Sequence, residues 1–317
     1  MKCKICGANT KKWYKNLFDD RHGFLGRFDI LRCSNCGFGQ TDPQIKKSEI
    51  GSLYSKYYPR QNLDLKSIKL KNYKLPSHIE VWRKGLLNSA HFLVEKGSTV
   101  LDVGSGVGHS LLYLKNNGCQ VYGIDPDKNA KKLAKKFKLN FHQGFIEDKP
   151  FRNKKFDYII ANQVLEHTNE PVSFLKECKN RLKSNGVIII SFPNTDSLGR
   201  LVFKKRWLHW HIPYHLNHFN KKSVKKLAKK AGLKITSIKT VTPNMWTSIQ
   251  IRSLLQSPVE GKRDGFWDGR TSKDEGVVSK PSFRKFLKIL EENNYLNRFI
   301  DYLGFGESFV TTLNSSQ

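Results

Sequence analysis

Asp102-Val103-Gly104-Ser105-Gly106-Val107-Gly108 sets a carboxylate two residues ahead of three alternating glycines. A dinucleotide turn would need Gly-x-Gly-x-x-Gly, but its third glycine falls on His109, and a phosphate loop would need a Gly-Lys-Ser/Thr that is missing. An acid at this point repels pyrophosphate and suits a ligand that is cationic there. Glycines at 104 and 106 let the backbone approach that ligand with no Cβ between. About twenty residues on, Val121-Tyr122-Gly123-Ile124-Asp125 ends in a second acid, spaced to hold two ribose hydroxyls. Asp125 also precedes Pro126, so it doubles as a helix N-cap candidate. A nucleoside that carries an ammonium and a sulfonium but no phosphate meets both conditions, and S-adenosylmethionine is such a molecule.

A second chemistry sits at the N-terminus. Cys3-Lys4-Ile5-Cys6-Gly7 recurs as Cys33-Ser34-Asn35-Cys36-Gly37. Two Cys-x-x-Cys-Gly knuckles separated by a few tens of residues make a four-thiolate zinc site. The alternatives are a disulfide framework, which needs an oxidising compartment, and a rubredoxin-like iron site. Four thiolates leave no open coordination position, so the expected role of Zn2+ at Cys3, Cys6, Cys33 and Cys36 is structural. With reduced thiols and no signal peptide ahead of Cys3, the cytoplasm is the expected location.

The elements that must position these groups alternate. Val100–Val103 and Val121–Asp125 read as strands, as do Phe156–Asn162 and the apolar run Val187-Ile188-Ile189-Ile190, and helical stretches lie between them. Such alternation predicts an α/β, doubly wound, mostly parallel sheet whose ligands sit beyond the carboxyl ends of the strands. The segments, in this order, resemble the class I S-adenosylmethionine-dependent methyltransferases over roughly residues 90–240. That resemblance implies seven strands, the last an antiparallel one near 306–313. It places Asp102, Gly104, Ser105, Gly106, Asp125, Pro126, Ile146 and Asn162 around the cofactor, with the Gln143–Asp148 segment against adenine. Where relatives carry a Tyr-rich connector over the cofactor, Tyr58 is the chosen contact among Tyr54, Tyr57 and Tyr58. Some relatives that act on nucleotide-linked deoxysugars in bacterial polysaccharide pathways carry a similar zinc-ribbon-like module ahead of this domain.

Methyl transfer to a neutral hydroxyl needs a base, and histidine suits that near pH 7. His167 follows the Phe156–Asn162 strand in Leu165-Glu166-His167. A second group, His209, His211, His215 and His218, lies in the loop after the apolar strand. In related enzymes a segment ending His-Leu-x-x-Phe recurs, which favours His215 as the second catalytic candidate. The spacing of the four fits no common zinc pattern, so no second metal is expected there.

The partition expected from all this is a zinc-binding module over 1–42, a helical connector over 43–90, the cofactor core over 91–242 and a C-terminal insertion with the final strand over 243–317. Within the last, the Gly261–Gly276 stretch reads as a loop and the Phe283–Leu303 stretch as a helix. The formal charge of +29 calls for an anionic partner such as a nucleotide-sugar or a lipid-linked sugar, with peripheral membrane contact as an option. Much of that charge is lysine on the solvated side of helices, as in Lys221–Lys230 around Val224, Leu227, Ala228 and Ala231. Nucleic acid ranks behind, because the Asn/Asp-Pro-Pro-Tyr/Phe motif of amino-directed nucleic-acid methylases is replaced by Ala161-Asn162-Gln163-Val164. Other functions in view are a ribosomal-RNA methyltransferase, a quinone or lipid methyltransferase, and a non-catalytic binding scaffold.

Overall fold

The computed structural model describes residues 1–57, 76–268 and 280–315. Its strands are β1 Thr10–Leu17, β2 Phe28–Cys33, β3 Gly39–Asp42, β4 Thr99–Val103, β5 Gln120–Asp125, β6 Asn140–Gln143, β7 Phe156–Asn162, β8 Leu182–Pro193, β9 Asn217–His218, β10 Leu233–Val241 and β11 Ser308–Ser315. The helices are α1 Lys47–Tyr57, α2 His78–Lys84, α3 His109–Asn116, α4 Lys128–Lys136, α5 Pro171–Lys179, α6 Leu198–Phe203, α7 Lys221–Ala231, α8 Asn244–Leu254, α9 Gly265–Asp268, α10 Pro281–Asn293 and α11 Tyr295–Tyr302.

Seven strands form one sheet in the order β10-β11-β8-β7-β4-β5-β6. β4 to β8 run parallel, and β11 enters antiparallel between β8 and β10. Val100, Leu101, Ile159, Ile160, Ile188 and Ile190 are all buried, because helices cover both faces of the sheet. The chain moves outward from β4 to β5 and β6, then returns to place β7 on the other side of β4. A crevice opens at the carboxyl ends of the strands where the direction reverses. Register makes that crevice chemical: Val103 pairs with Ile124, so the residues that follow them, Gly104 and Asp125, emerge side by side.

The α7 helix follows its sequence closely. Asn220 and Ser223 cap each other's backbone N–H, and Gly232 ends the helix. Val224, Leu227, Ala228 and Ala231 are buried, while Lys221, Lys222, Lys225, Lys229 and Lys230 are exposed. The expected helix over the Phe283–Leu303 stretch is interrupted. Asn294 leaves helical backbone and its side chain accepts from Asn297 N, so it ends α10 and starts α11. The expected loop contains α9, and residues 269–279 lie outside the described part. Among the described residues no helix is long and apolar enough to cross a membrane.

A second, four-stranded sheet has the order β1-β2-β3-β9, all antiparallel. Its last strand comes from the histidine-rich loop, with Gly39 opposite His218 and Gln40 opposite Asn217. The expected boundary at residue 42 is therefore a boundary in sequence but not in the sheet. Packing repeats the point. Phe38 meets Phe219, ring centroids 5.2 Å apart, and Phe219 meets Phe192 of β8 at 5.1 Å. Cys3, Cys33 and Cys36 share one continuous core with Leu101, Phe174 and Leu227.

Candidate functional site

Both cysteine knuckles close in the same way. Gly7 N donates to Cys3 O at 2.9 Å and Gly37 N to Cys33 O at 3.0 Å, each glycine with φ of +74°, a left-handed turn that a side chain would strain. The four sulfurs come within 4.8 Å of one another, with Cys3–Cys36, Cys6–Cys33 and Cys6–Cys36 at 3.6, 3.5 and 3.6 Å. A tetrahedron of ~2.3 Å zinc–sulfur bonds has edges of about 3.8 Å. The donor set and its spacing fit zinc.

Beyond the carboxyl ends of β4, β5 and β7 lies one cavity of about 1210 Å³. This exceeds the ~300–1,000 Å³ usual for one small ligand, so two molecules fit together. Gly104, Asp125, Pro126, Ile146 and Asn162 line it, as do His167 and His215. At one end Asp125 is 4% exposed. Its carboxylate accepts from Gly106 N at 2.7 Å and from Asp127 N at 2.8 Å, so two backbone donors hold the acid at the cavity wall. Gly104 has φ of +72°, and a Cβ there would come within 2.4 Å of Val164 Cγ2. Gln143, Gly144, Phe145 and Glu147 continue this wall. An S-adenosyl nucleoside fits the acid, the bare backbone and the apolar flank.

Asp102 corrects the sequence reading. It does not line the cavity; its carboxylate turns into the protein and accepts from Ser110 Oγ of α3. Burial, with the Asp125 charge beside it, pushes its carboxyl up to about 7; because it faces inward, it is not part of the cavity wall. Asp125 takes that place. Ser105 and Gly106 also stand behind the wall, Gly106 acting through its bond to Asp125. Asn162 lines the cavity while its Oδ1 accepts from Ala90 N at 2.5 Å. Tyr58 lies outside the described residues; among the described residues the connector tyrosine that reaches the cavity is Tyr54 of α1.

The two candidate bases meet at the other end, their ring centroids 4.7 Å apart and nearly perpendicular. His167 Nδ1 lies 2.9 Å from the Tyr214 carbonyl and 2.9 Å from the Tyr54 hydroxyl. His215 Nδ1 lies 2.8 Å from the His209 carbonyl. A carbonyl only accepts, so both rings carry their proton on Nδ1 and keep the lone pair on Nε2. Burial, then the neighbouring His167 and His218, hold His215 well below its ordinary pKa, and it stays neutral. Glu166 is fully buried beneath them, pushed up to about 8 by burial, with one oxygen lacking a hydrogen-bond partner. Glu166, His167 and His215 each bring one ligand-type atom within 4.8 Å of the others, a group that sequence reasoning about the four loop histidines missed. His218 faces elsewhere, its Nε2 3.0 Å from Thr41 Oγ1 in the small sheet. Sequence reasoning also missed Arg21, Trp246 and Trp267 in the cavity lining, which arrive from three separate segments.

Comparison with known proteins gives the family. Residues 78–238, half of the chain, match the family described as a methyltransferase domain. A ubiquinone biosynthesis O-methyltransferase of Bradyrhizobium diazoefficiens is 36% identical over 106 residues, which cover 32% of this chain and 42% of that protein. The biotin biosynthesis bifunctional protein BioHC of Teredinibacter turnerae is 24% identical over 205 residues, covering 60% of this chain and 35% of that one. The chain thus spans about half the length, or less, of these curated relatives. Among solved structures, the [4+2]-cyclase SpnF aligns with a TM-score of 0.51 at 16% identity, over 86% of this chain and 98% of that one. That likeness concerns the fold alone, which serves more than one chemistry. On the matched span and the strand order together, the chain belongs to the methyltransferase domain family.

Proposed function

We propose that this chain is an S-adenosylmethionine-dependent O-methyltransferase whose acceptor is a sugar or sugar-linked precursor of cell-surface polysaccharide, carried by an anionic group. The observation behind this reading is the single cavity with Asp125 at one end and a neutral, cavity-lining His215 at the other. S-adenosylmethionine, when bound, supplies a methyl group on a positive sulfur, an electrophile that needs no further activation. Asp125 and the Gly104 backbone hold the nucleoside end. The acceptor hydroxyl points at His215 Nε2, which takes its proton. The Nδ1–H bond to the His209 carbonyl keeps that lone pair in place, and the His167 ring packs edge-on against His215, centroids 4.7 Å apart. Walls of Trp246, Ile249 and Tyr54 exclude water.

Zinc at Cys3, Cys6, Cys33 and Cys36 folds the N-terminal sheet against the core and takes no part in transfer. The protein works in the cytoplasm, where these thiols stay reduced. On this reading the protein carries one zinc per chain, and Cys33→Ser lowers both zinc content and the yield of folded protein; a folded, metal-free preparation would contradict it.

The functional test is label transfer from methyl-labelled S-adenosylmethionine to nucleotide-sugars and lipid-linked sugars, with the methylated sugar identified by mass spectrometry. Label in the sugar supports the proposal; label found only in RNA overturns it. A second reading, a quinone-type lipid acceptor, is favoured by the ubiquinone biosynthesis O-methyltransferase relative and by exposed Leu296, Phe299 and Leu303 on and after α11. Label in such a lipid and not in sugars decides for it.

A further inference from the structure

We infer that Arg21, carried into the cavity by the β1–β2 loop of the cysteine-anchored sheet, is the binding residue for a phosphate or diphosphate on the acceptor. The inference rests on the proposal that this cavity seats donor and acceptor together.

The loop is built to deliver one side chain. Asp19, fully buried, gathers three backbone donors: Arg21 N and His22 N at 3.0 Å and Phe24 N at 2.9 Å. Asp264 N donates to the Arg21 carbonyl at 2.9 Å and ties the loop to the segment ahead of α9. The guanidinium is then fixed on three sides. Its Nη2 donates to the Leu208 carbonyl, its Nε lies 3.3 Å from Asp20 Oδ1, and the Trp267 ring lies 4.2 Å from its Cζ. Among the described residues Nη1 makes no hydrogen bond, although Arg21 is only 7% exposed and lines the cavity. A planar guanidinium whose orientation is already set, with one edge left open to a cavity, matches the oxygens of a phosphate and loses little entropy on binding.

The surroundings keep the charge available. Asp20 is 41% exposed at its side chain, so water screens it. His209, at the same end, is pushed down to about 3 by burial and by Arg21, and His211 is lowered for the same reasons, so both are neutral. Among the described residues Arg21 is thus the cation beside Leu208, His209 and Trp267, and Trp246 in the same cavity lining offers an apolar ring that suits a sugar or base. An anion on Arg21 and a hydroxyl at His215 belong to one molecule, a phosphorylated or nucleotide-linked alcohol. The cysteine-anchored sheet thereby supplies part of the substrate site as well as fold stability.

Calorimetric titration tests this, with inorganic pyrophosphate and UDP as probes, near-physiological salt to suppress surface binding, and S-adenosylhomocysteine already bound. Wild type should bind both probes saturably. Arg21→Gln should weaken them at least tenfold and Arg21→Lys less so, with S-adenosylhomocysteine affinity unchanged in both, which also reports folding. UDP binding much tighter than pyrophosphate assigns the ring walls to a nucleoside; equal affinities assign the site to the phosphates alone, and either supports the inference. Wild type binding neither probe, or Arg21→Gln binding both as tightly as wild type, overturns it while the donor-site reading stands. Failure of wild type to bind S-adenosylhomocysteine instead overturns the donor-site reading, and this inference with it.

Discussion

His215→Ala lowers kcat by about 10²–10⁴-fold, the usual contribution of a positioned general base, and leaves the Kd for S-adenosylmethionine within twofold. The split follows from the geometry. On the proposed reading Asp125 and Gly104 hold the donor, while His215, elsewhere in the cavity lining, makes its anchoring bond to the His209 carbonyl. The ring is buried and packs edge-on against His167 and His211, so alanine also opens a small void. His215→Asn, which keeps a polar stub, is the companion variant and should lose as much turnover. His167→Ala separates the two histidines: as a positioning residue it should change KM and kcat together and by less. Full activity in His215→Ala would move the base to His167, and full activity in both single variants would remove histidine from the reaction.

The second large effect is acid unfolding. Burial holds His22, His209 and His218 near 3, His91 near 4, and His211 and His215 well below the ordinary value. Each of these six binds a proton in the unfolded chain below about pH 6.5 and none in the folded one, so they withdraw stability as pH falls. Asp102 and Glu307, raised to about 7, and Glu166, raised to about 8, act in the opposite sense. Their stabilisation is fully present below about pH 4, where the unfolded carboxyls are also protonated, and is lost progressively from there up to pH 7 to 8. With His109 also lowered and buried Asp19 and Asp301 also raised, between pH 6 and 5 the histidines outnumber the acids by about two protons, a loss of about 3 kcal/mol per pH unit. Against a typical 5–15 kcal/mol, that is decisive within two units. On the alkaline side the few protons at stake make the decline shallow. Denaturant melts at pH 7, 6 and 5 should show stability highest near pH 6.5 and collapsing by pH 5. Equal stability at pH 7 and pH 5 would contradict the neutral buried histidine cluster, and His218→Gln should flatten the acid limb by about one proton's worth.

The cysteine knuckles, the glycine turn and the acid ending β5 were legible in the sequence because each is a short local pattern whose residues fix their own backbone. The mostly parallel seven-stranded sheet and its antiparallel last strand were legible through resemblance, since the helical and apolar runs alternate. What the sequence hid was set by contacts between distant segments. Nothing in Asn217-His218 marks it as the fourth strand of a sheet begun by Thr10–Leu17. Arg21 sits in an ordinary polar loop until Asp19 and Asp264 turn it into the cavity. Tyr54 could not be told from its tyrosine neighbours without the position of α1. Asp102 misled for a related reason: its place in the motif is clear, but its charge depends on burial and on Ser110, eight residues away on the next helix.

On the proposed reading the charge facing the donor belongs to Asp125, which lines the cavity where Asp102 does not. Calorimetric titration of S-adenosylmethionine into wild type and Asp125→Ala measures this most directly. One saturable site per chain is expected in wild type, weakened by about 1–3 kcal/mol in Asp125→Ala through the lost charge-assisted hydrogen bonds, with the variant's fold checked by its melt at pH 7. Absence of saturable binding in wild type, or equal affinity in a folded Asp125→Ala, would contradict the account.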